Sequence, residues 1–326
     1  MDNQFFYLGE DLGMGANKLF GAPGGLQVLS QVATNGTQHL ASSTVGLRQR
    51  QRPMEIKTEH GSFYIGEGAH DYGRPVESLD FDRLTGAPEM KALLYGSLTR
   101  YQQQYGQIDK PIVMMVGLPL QMMTGDTAKE FANQVRSWLK GNHAWKADDR
   151  EQRVEISEVK LTPQPVGALF DYVLDDEGKF IPERAGLLRQ EIGILSVGFN
   201  TLELLVVRDR APVERFTAGQ TVGVRRLLEL VNPTGAYSLG ELDTKLRAGH
   251  LDVSAALPVW TREVNGEIEK RWGASLKRFA RVIIVGGGAL LLNGELTRQF
   301  VGKAVLADEP VLSIARGLHK LLLMKK

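Results

Sequence analysis

Two glycine-containing turns, far apart in the chain, carry residue types that can bind phosphate groups. The first is DLGMGANK at residues 11–18, and the second is SVGFNTLE at residues 196–203. Glycine-containing turns can bring backbone N–H groups close to phosphate oxygens. Each turn alone is more typical of an ordinary hairpin, because glycine accepts positive φ angles and Asp and Asn bond to their own backbone. Two such turns facing each other from different domains would hold the phosphates of a nucleotide between them.

Composition limits the class of protein. With 326 residues the chain exceeds the length at which one hydrophobic core stops growing, so two domains are expected. The net charge of +1 gives no strong signal for direct binding of nucleic acid. The absence of cysteine excludes disulfides and thiolate chemistry. The sequence has no secretion signal and no apolar run of the ~18–20 residues that a membrane span needs, so we expect a cytoplasmic protein without membrane insertion.

The first half of the chain has the pattern of a mixed β-sheet with helices. Strands are predicted at residues 5–13, 17–22, 42–50, 63–69 and 111–123, and helices at residues 87–105 and 126–140. The run PIVMMVGLPLQMM is almost continuously apolar, as expected for a strand that is buried on both faces.

The second half begins with the same arrangement of strand, turn and strand, at residues 191–209. Helices are predicted at residues 222–231, 238–249 and 263–279, a buried strand enters the triple-glycine turn within residues 281–292, and a last short helix begins near Pro310. The repeated arrangement indicates two compact domains of similar construction.

Five motifs follow one another along nearly the whole chain. They are DLGMGANK, KLTPQPVGALFDY (residues 160–172), SVGFNTLE, IIVGGGALLL (residues 283–292) and EPVLSIARGLHKL (residues 309–321). In this order they resemble the first phosphate motif, the first connecting segment, the second phosphate motif, the adenosine motif and the second connecting helix of the actin-like ATPases. FYIGEGA and VMMVGLPLQ are similar to stretches of the ParM-like branch, the bacterial and archaeal actin homologues that segregate plasmids or build filaments.

The resemblance implies an α/β, actin-like (ribonuclease H-like) fold of two domains with a nucleotide cleft between them. It implies a domain I at residues 1–165, completed by a C-terminal helix at residues 311–326, and a domain II at residues 166–310. The implied function is an ATPase that polymerises into filaments, for plasmid or DNA segregation or another cytoskeletal task. ATP and Mg²⁺ are the expected ligands, with GTP left open, and the expected partners are further copies of the chain and a DNA-bound adaptor protein.

The chemistry of each position in the two phosphate motifs predicts a task for it. Asp11 is the predicted Mg²⁺ ligand, because Mg²⁺ keeps several waters and takes few protein ligands. Asn17 and Lys18 are predicted to reach the β- and γ-phosphates, as a neutral donor and a point charge. A solvated lysine at a strand end is the alternative for Lys18. The other predicted phosphate contacts are Gly13, Gly15, Gly198, Asn200 and Thr201.

The connecting segment and the adenosine motif predict further site residues, for hydrolysis and for binding of the adenine and ribose. Gln164 lies where the resemblance places the residue that orients the attacking water, so Gln164 and Asp11 are the predicted catalytic residues; a polar loop residue is the alternative for Gln164. The glycines of the adenosine motif, Gly286, Gly287 and Gly288, would let the backbone approach the adenine and ribose. Lys245 and Arg247 are predicted ribose or base contacts on a nearby helix, and an exposed helix face is the favoured alternative for both.

The second phosphate motif departs from the family pattern at its first residue. Ser196 lies where relatives usually have aspartate, and a serine supplies no negative charge near the metal. The sequence therefore predicts firm binding of the magnesium nucleotide with slow hydrolysis. It also leaves two alternative functions open, a nucleotide-dependent switch or scaffold that does not polymerise and a kinase of the actin fold with weak hydrolysis.

Overall fold

The computed structural model describes residues 4–34, 51–78 and 80–324, and there the chain forms two β-sheets. The strands of the first sheet are β1 (Phe6–Leu12), β2 (Ala16–Gly21), β3 (Gly24–Leu29), β4 (Val32–Thr34), β5 (Met54–Thr58), β6 (Gly61–Ile65), β7 (Arg74–Pro75), β8 (Ile112–Leu118), β9 (Gly141–Ala147) and β10 (Arg150–Pro163). The strands of the second sheet are β11 (Ile192–Val197), β12 (Leu202–Arg208), β13 (Ala211–Pro212), β14 (Ala218–Gln220), β15 (Arg281–Val285) and β16 (Ala304–Leu306).

Helices cover and join the two sheets. They are α1 (Pro88–Tyr105), α2 (Ala128–Leu139), α3 (Gln164–Val173), α4 (Pro182–Ala185), α5 (Val224–Val231), α6 (Leu239–Arg247), α7 (Leu257–Arg271), α8 (Gly287–Gln299) and α9 (Ser313–Leu323). Short 3₁₀ helices lie at Ala69–Asp71, Phe81–Thr85, Leu120–Met123, Gly186–Arg189, Glu214–Phe216 and Gly273–Arg278. No helix of the described residues is both long enough and apolar enough to cross a membrane.

Both sheets have the same local topology around their first hairpin. In the first sheet the strand order is β3-β2-β1-β8-β10-β9-β5-β6-β4-β7, with β1 antiparallel to β2 and parallel to β8. In the second sheet the order is β13-β12-β11-β15-β16, with β14 added to β12, and β11 is antiparallel to β12 and parallel to β15. Each hairpin turn, β1–β2 and β11–β12, therefore lies at the carboxyl ends of a parallel strand pair, where α/β proteins bind ligands.

Each sheet has its own hydrophobic core, and a third core joins the two domains. Leu93 on α1 and Val135 on α2 are buried against the first sheet, whereas Trp260 on α7 is buried against the second. The joining core lies around α3 and α9, which pack closely because glycines face each other at their crossing. A Cβ atom on Gly317 would lie 1.8 Å from the carbonyl oxygen of Gly167, so only glycine permits this approach.

The predicted fold class, two domains of α/β structure, is confirmed, and most predicted elements are present. The predicted strand at residues 42–50 lies outside the described residues. The helix predicted at residues 263–279 is wrong in its bounds, because α7 spans Leu257–Arg271. Pro258 starts this helix in the first turn, where its missing N–H is not needed. Residues Trp260 and Val264 then repeat on its buried face.

The hairpin β9–β10 was not predicted from the sequence. Its strands carry many charged residues, and only alternate side chains are buried, as in Trp145 and Ala147 of β9. The two strands are joined by Asp148 and Asp149, which have φ angles of 47° and 64° and form a two-residue turn. The hairpin leads directly into α3, so Gln164 is the first residue of a helix rather than part of a loop. The residue limits predicted for the two domains stay a prediction.

Candidate nucleotide-binding site

A cavity of about 350 Å³ lies between the two sheets, and both hairpin turns line it. Its volume lies in the range of small-molecule sites, roughly 300–1,000 Å³. The structure brings together these predicted site residues in the lining: Asp11, Gly13, Gly15, Lys18, Gln164, Gly198, Asn200, Thr201, Gly286, Gly287 and Gly288. Ser196 lines the same cavity. Residues from distant parts of the chain therefore meet in one place, as the sequence predicted.

The carboxylate of Asp11 organises the polar side of the cavity. Asp11 on β1 pairs with Lys18 on β2 in the hairpin register, and Lys18 Nζ lies 2.9 Å from Asp11 Oδ2. Gln164 Nε2 donates a hydrogen bond of 2.7 Å to Asp11 Oδ1. Asp11 is only 3% exposed, so this charged cluster is held in place by its surroundings. A carboxylate can accept further bonds beyond these two, which leaves it able to accept from a hydrated metal ion.

The glycine turn within IIVGGGALLL packs closely against the neighbouring strand β11. Gly286 has a φ angle of 92°, and a Cβ atom on it would lie 2.3 Å from the carbonyl oxygen of Val197. A Cβ atom on Gly288 would lie 2.5 Å from Val197 Cγ1. Both glycines allow the start of α8 to lie directly against β11, at the edge of the cavity.

We expect Gly286→Ala to lower the free energy of unfolding by about 1–3 kcal/mol, because alanine must adopt a backbone conformation that only glycine adopts readily. Gly287→Ala is the matched control, since a Cβ atom there has nothing within 4 Å and its φ is not positive. Urea unfolding of both variants measures the difference. Equal midpoints for the two variants would contradict the assignment of this strained turn.

Two predicted site residues lie outside the cavity lining. Asn17 is buried on the other face of β2, where its Nδ2 donates to Glu10 Oε1 at 3.1 Å. Neighbouring residues of a strand point to opposite faces, so Asn17 and Lys18 cannot both face the cavity. Lys245 Nζ lies 3.6 Å from the centre of the Tyr237 ring, and Lys245 does not line the cavity.

Another face of α6 does line the cavity, and it contains a residue that the sequence interpretation missed. Asp243 is 4% exposed and accepts a hydrogen bond of 2.8 Å from Arg247 Nε. Burial raises the pKa of Asp243, and the neighbouring Arg247 opposes this shift. Leu246 lies on the same face. The spacing of Asp243 and Arg247 by four residues was the signal for a shared helix face.

Glu203, the last residue of SVGFNTLE, is a second residue to which the sequence interpretation gave no role. It lies on β12 directly opposite Ser196 on β11 and is 1% exposed. Its Oε1 accepts a hydrogen bond of 2.7 Å from the Leu120 N–H, and its Oε2 has no partner among the described residues. Burial raises the pKa of Glu203 to about 8, with the negative charge of Asp11 acting in the same direction. A carboxyl group therefore lies beside the serine that replaces the expected aspartate.

Comparison with known proteins agrees with this geometry. The chain has an actin-like fold, in which two α/β domains enclose a cavity between two matched hairpin turns. Residues 9–167 match the family model described as "Actin like proteins N terminal domain". These residues are similar to an actin-like N-terminal domain, and the resemblance to ParM-like actin homologues is confirmed. No curated protein matches the chain.

Solved structures with this fold cover nearly the whole chain. The structure of a 15-stranded ParM filament from Clostridium botulinum is similar with a TM-score of 0.75 and 19% identity, over 97% of this chain and 98% of that one. The archaeal actin homologue Ta0583 in complex with ADP has a TM-score of 0.69 and 18% identity, over 97% and 98%. The pSK41 ParM protein without ligand has a TM-score of 0.71 and 17% identity, over 98% and 97%.

Proposed function

We propose that this chain binds a magnesium nucleotide in the cavity between its domains and assembles with further copies of itself into filaments. The observation that carries the binding site is the cluster of Asp11, Lys18 and Gln164, which faces the turn of the second domain across one cavity. The support for assembly is similarity over nearly the full length to a protein whose structure is that of a ParM filament.

The residues that line the cavity suggest how the ligand would be held. The donor set fits magnesium, since Asp11 offers one buried carboxylate and Mg²⁺ takes few protein ligands beside phosphates and water. Lys18 would bind phosphate oxygens, together with the backbone N–H of Gly15 and the side chain of Thr201. The predicted backbone contacts of Gly13 and Gly198 are less suited, because their N–H groups already donate to Asp11 O and Thr201 O within the turns. Asp243 can accept hydrogen bonds from ribose hydroxyl groups.

Gln164 is suited to orient a water molecule for hydrolysis. Its Nε2 is committed to Asp11, which leaves its Oε1 to accept a hydrogen bond from the attacking water. Mg²⁺, when bound, neutralises charge that develops on the phosphate oxygens. A glutamine is a poor base and Ser196 adds no charge, so we propose slow turnover with a long-lived nucleotide-bound state.

The base end of the cavity offers little to select one nucleobase over another. The side chains beside the glycine turn are apolar, and they are Leu290, Leu291, Val311 and Ile314. None of them can donate or accept a hydrogen bond to distinguish adenine from guanine. We propose ATP as the ligand and expect GTP to be accepted as well.

In the cell we propose a cytoplasmic filament that serves plasmid or DNA segregation or another cytoskeletal role, with a DNA-bound adaptor protein as partner. Ser196 also fits one alternative, a nucleotide-dependent switch or scaffold that does not polymerise, because slow hydrolysis suits a switch as well as a filament. An actin-fold kinase with weak hydrolysis is the remaining alternative. Self-assembly separates the filament from both.

Assembly is expected only with nucleotide. A ligand held between two domains favours one inter-domain angle, and an interface that fits this angle forms only when the ligand is bound. Light scattering and sedimentation with ATP, ADP, a non-hydrolysable ATP analogue and no nucleotide measure this. A monomer under all four conditions at high protein concentration would favour the switch or the kinase.

A further inference from the structure

Polar contacts between the domains also form beside the two hairpin turns, at residues outside the lining of the cavity described above. Gln31, His70 and Glu77 of the first domain meet Ser238, which caps α6, and the first turn of α6 in the second domain. We propose that Gln31, His70 and Glu77 form an inter-domain latch with this helix end, which holds the cleft closed and responds to the nucleotide through α6.

Glu77 binds the exposed N–H groups at the start of α6. Its Oε1 accepts hydrogen bonds from Leu239 N at 2.7 Å and from Gly240 N at 3.4 Å. The first N–H groups of a helix have no partner within the helix, and the helix dipole favours a negative charge there. A carboxylate from one domain thus satisfies helix donors of the other, and these bonds are lost if the domains separate.

Gln31 and His70 add side-chain contacts to the same helix end. Gln31, which is 5% exposed, donates through Nε2 to Gly240 O at 2.9 Å and to Thr244 Oγ1 at 2.8 Å. A hydrogen bond of 3.0 Å joins His70 Nδ1 to Ser238 Oγ, and Ser238 Oγ also accepts from Glu241 N. The latch therefore uses both the capping residue and the first two turns of α6.

Gly240 is what lets the two domains approach this closely. A Cβ atom on Gly240 would lie 2.4 Å from His70 Cε1 and 3.1 Å from Gln31 Cγ. Any side chain at this position would have to displace the His70 ring. A helix otherwise favours alanine over glycine, so the glycine at this position serves the close contact between α6 and the first domain.

The same helix connects the latch to the nucleotide cavity. Asp243 and Arg247 of α6 line the cavity, while Gly240 and Thr244 of α6 bind Gln31. These residues belong to one helix of nine residues, so a ligand that bridges Asp243 and the DLGMGANK turn would pull the whole of α6 towards the first domain. That movement is the one that forms the latch. This coupling to the ligand rests on the proposed function, whereas the latch contacts themselves do not.

The latch can be measured as a distance between the domains. The chain has no cysteine, so spin labels on Ser62→Cys and Thr234→Cys, both exposed and on different domains, report one distance. We expect the wild type with Mg²⁺·ADP to show mainly a short distance. Glu77→Ala and Gly240→Ala should each reduce the ratio of short to long distances by about two- to fivefold, with and without the nucleotide. Glu67→Ala, also exposed on the first domain, and Gly266→Ala, with nothing within 4 Å of its added Cβ, are the matched controls.

The outcomes separate the latch from the proposed function. If both latch variants give the same distances as the wild type in both conditions, or if the wild type shows only the long distance, the latch is overturned. If Mg²⁺·ADP does not bind, which calorimetry on the same samples shows, the nucleotide function fails, but a shift caused by Glu77→Ala and Gly240→Ala without nucleotide would still support the latch.

Discussion

Lys18→Ala and Asp11→Ala are expected to weaken binding of Mg²⁺·ATP by about tenfold or more while the fold remains intact. A charge-assisted hydrogen bond contributes about 1.5–3 kcal/mol, and each variant removes a charge that lines the cavity. Asp11→Ala also leaves Lys18 without the carboxylate that lies 2.9 Å from its Nζ. Isothermal titration calorimetry measures the affinity, and circular dichroism checks the fold.

Two further variants make this test specific for the assigned roles. Lys129→Ala removes an exposed lysine from α2 and should leave the affinity unchanged. Asp11→Asn keeps an oxygen acceptor but removes the charge, so it should weaken binding in Mg²⁺ but not in excess EDTA. Affinities within about twofold of wild type for both Lys18→Ala and Asp11→Ala would refute the assigned phosphate and metal contacts.

Gln164→Ala is expected to lower the rate of ATP hydrolysis by about tenfold or more with little change in the affinity for Mg²⁺·ATP. Gln164 lines the cavity, and its Nε2 is held 2.7 Å from Asp11 Oδ1, so the side chain is fixed in orientation while its Oε1 can accept from a water molecule. Orientation of the attacking water acts on the transition state and contributes little to binding. Gln104→Ala, an exposed glutamine of α1, is the control. A loss of affinity that equals the loss of rate would show that Gln164 only positions Asp11.

The same assay tests the departure at Ser196. Ser196→Asp restores a carboxylate at the edge of the cavity and should raise the hydrolysis rate by about tenfold, or about 1.4 kcal/mol of the barrier. The position lies directly opposite Glu203 in the strand pair. The second variant, Ser196→Asn, has nearly the size of Ser196→Asp without its charge, so it separates the effect of charge on the rate from the effect of side-chain size. If Ser196→Asn accelerates hydrolysis as much as Ser196→Asp, or if neither does, the missing charge does not limit turnover.

The parts of the fold that the sequence predicted are those with a strong local pattern. The hairpins around DLGMGANK and SVGFNTLE have strands rich in apolar residues on both sides of a glycine turn, and the strand before Gly286 is apolar from Val282 to Val285. The β9–β10 hairpin lacks such a pattern, because its outward side chains are charged. Its two-residue turn, Asp148 and Asp149, uses left-handed backbone angles at residues other than glycine.

The sequence predicted which turns and helices meet at the candidate site. It did not predict which side chains of each strand or helix face the cavity. Lys18 and Asn17 are neighbours in sequence, yet the alternation of the strand sends Asn17 to Glu10 and into the first domain. In α6 the helix period turns Asp243 rather than Lys245 towards the cavity. Glu203 lies beside Ser196 because of the β11–β12 register. These placements depend on which face is buried, and that is decided by tertiary packing.

Electron cryo-microscopy of the chain incubated with Mg²⁺ and a non-hydrolysable ATP analogue tests nucleotide binding and self-assembly together. We expect filaments in which every subunit holds the nucleotide between the Gly13–Gly15 turn and the Gly198–Thr201 turn, with the metal beside Asp11. Particles that remain single at high concentration, or nucleotide density that lies outside this cavity, would contradict this expectation.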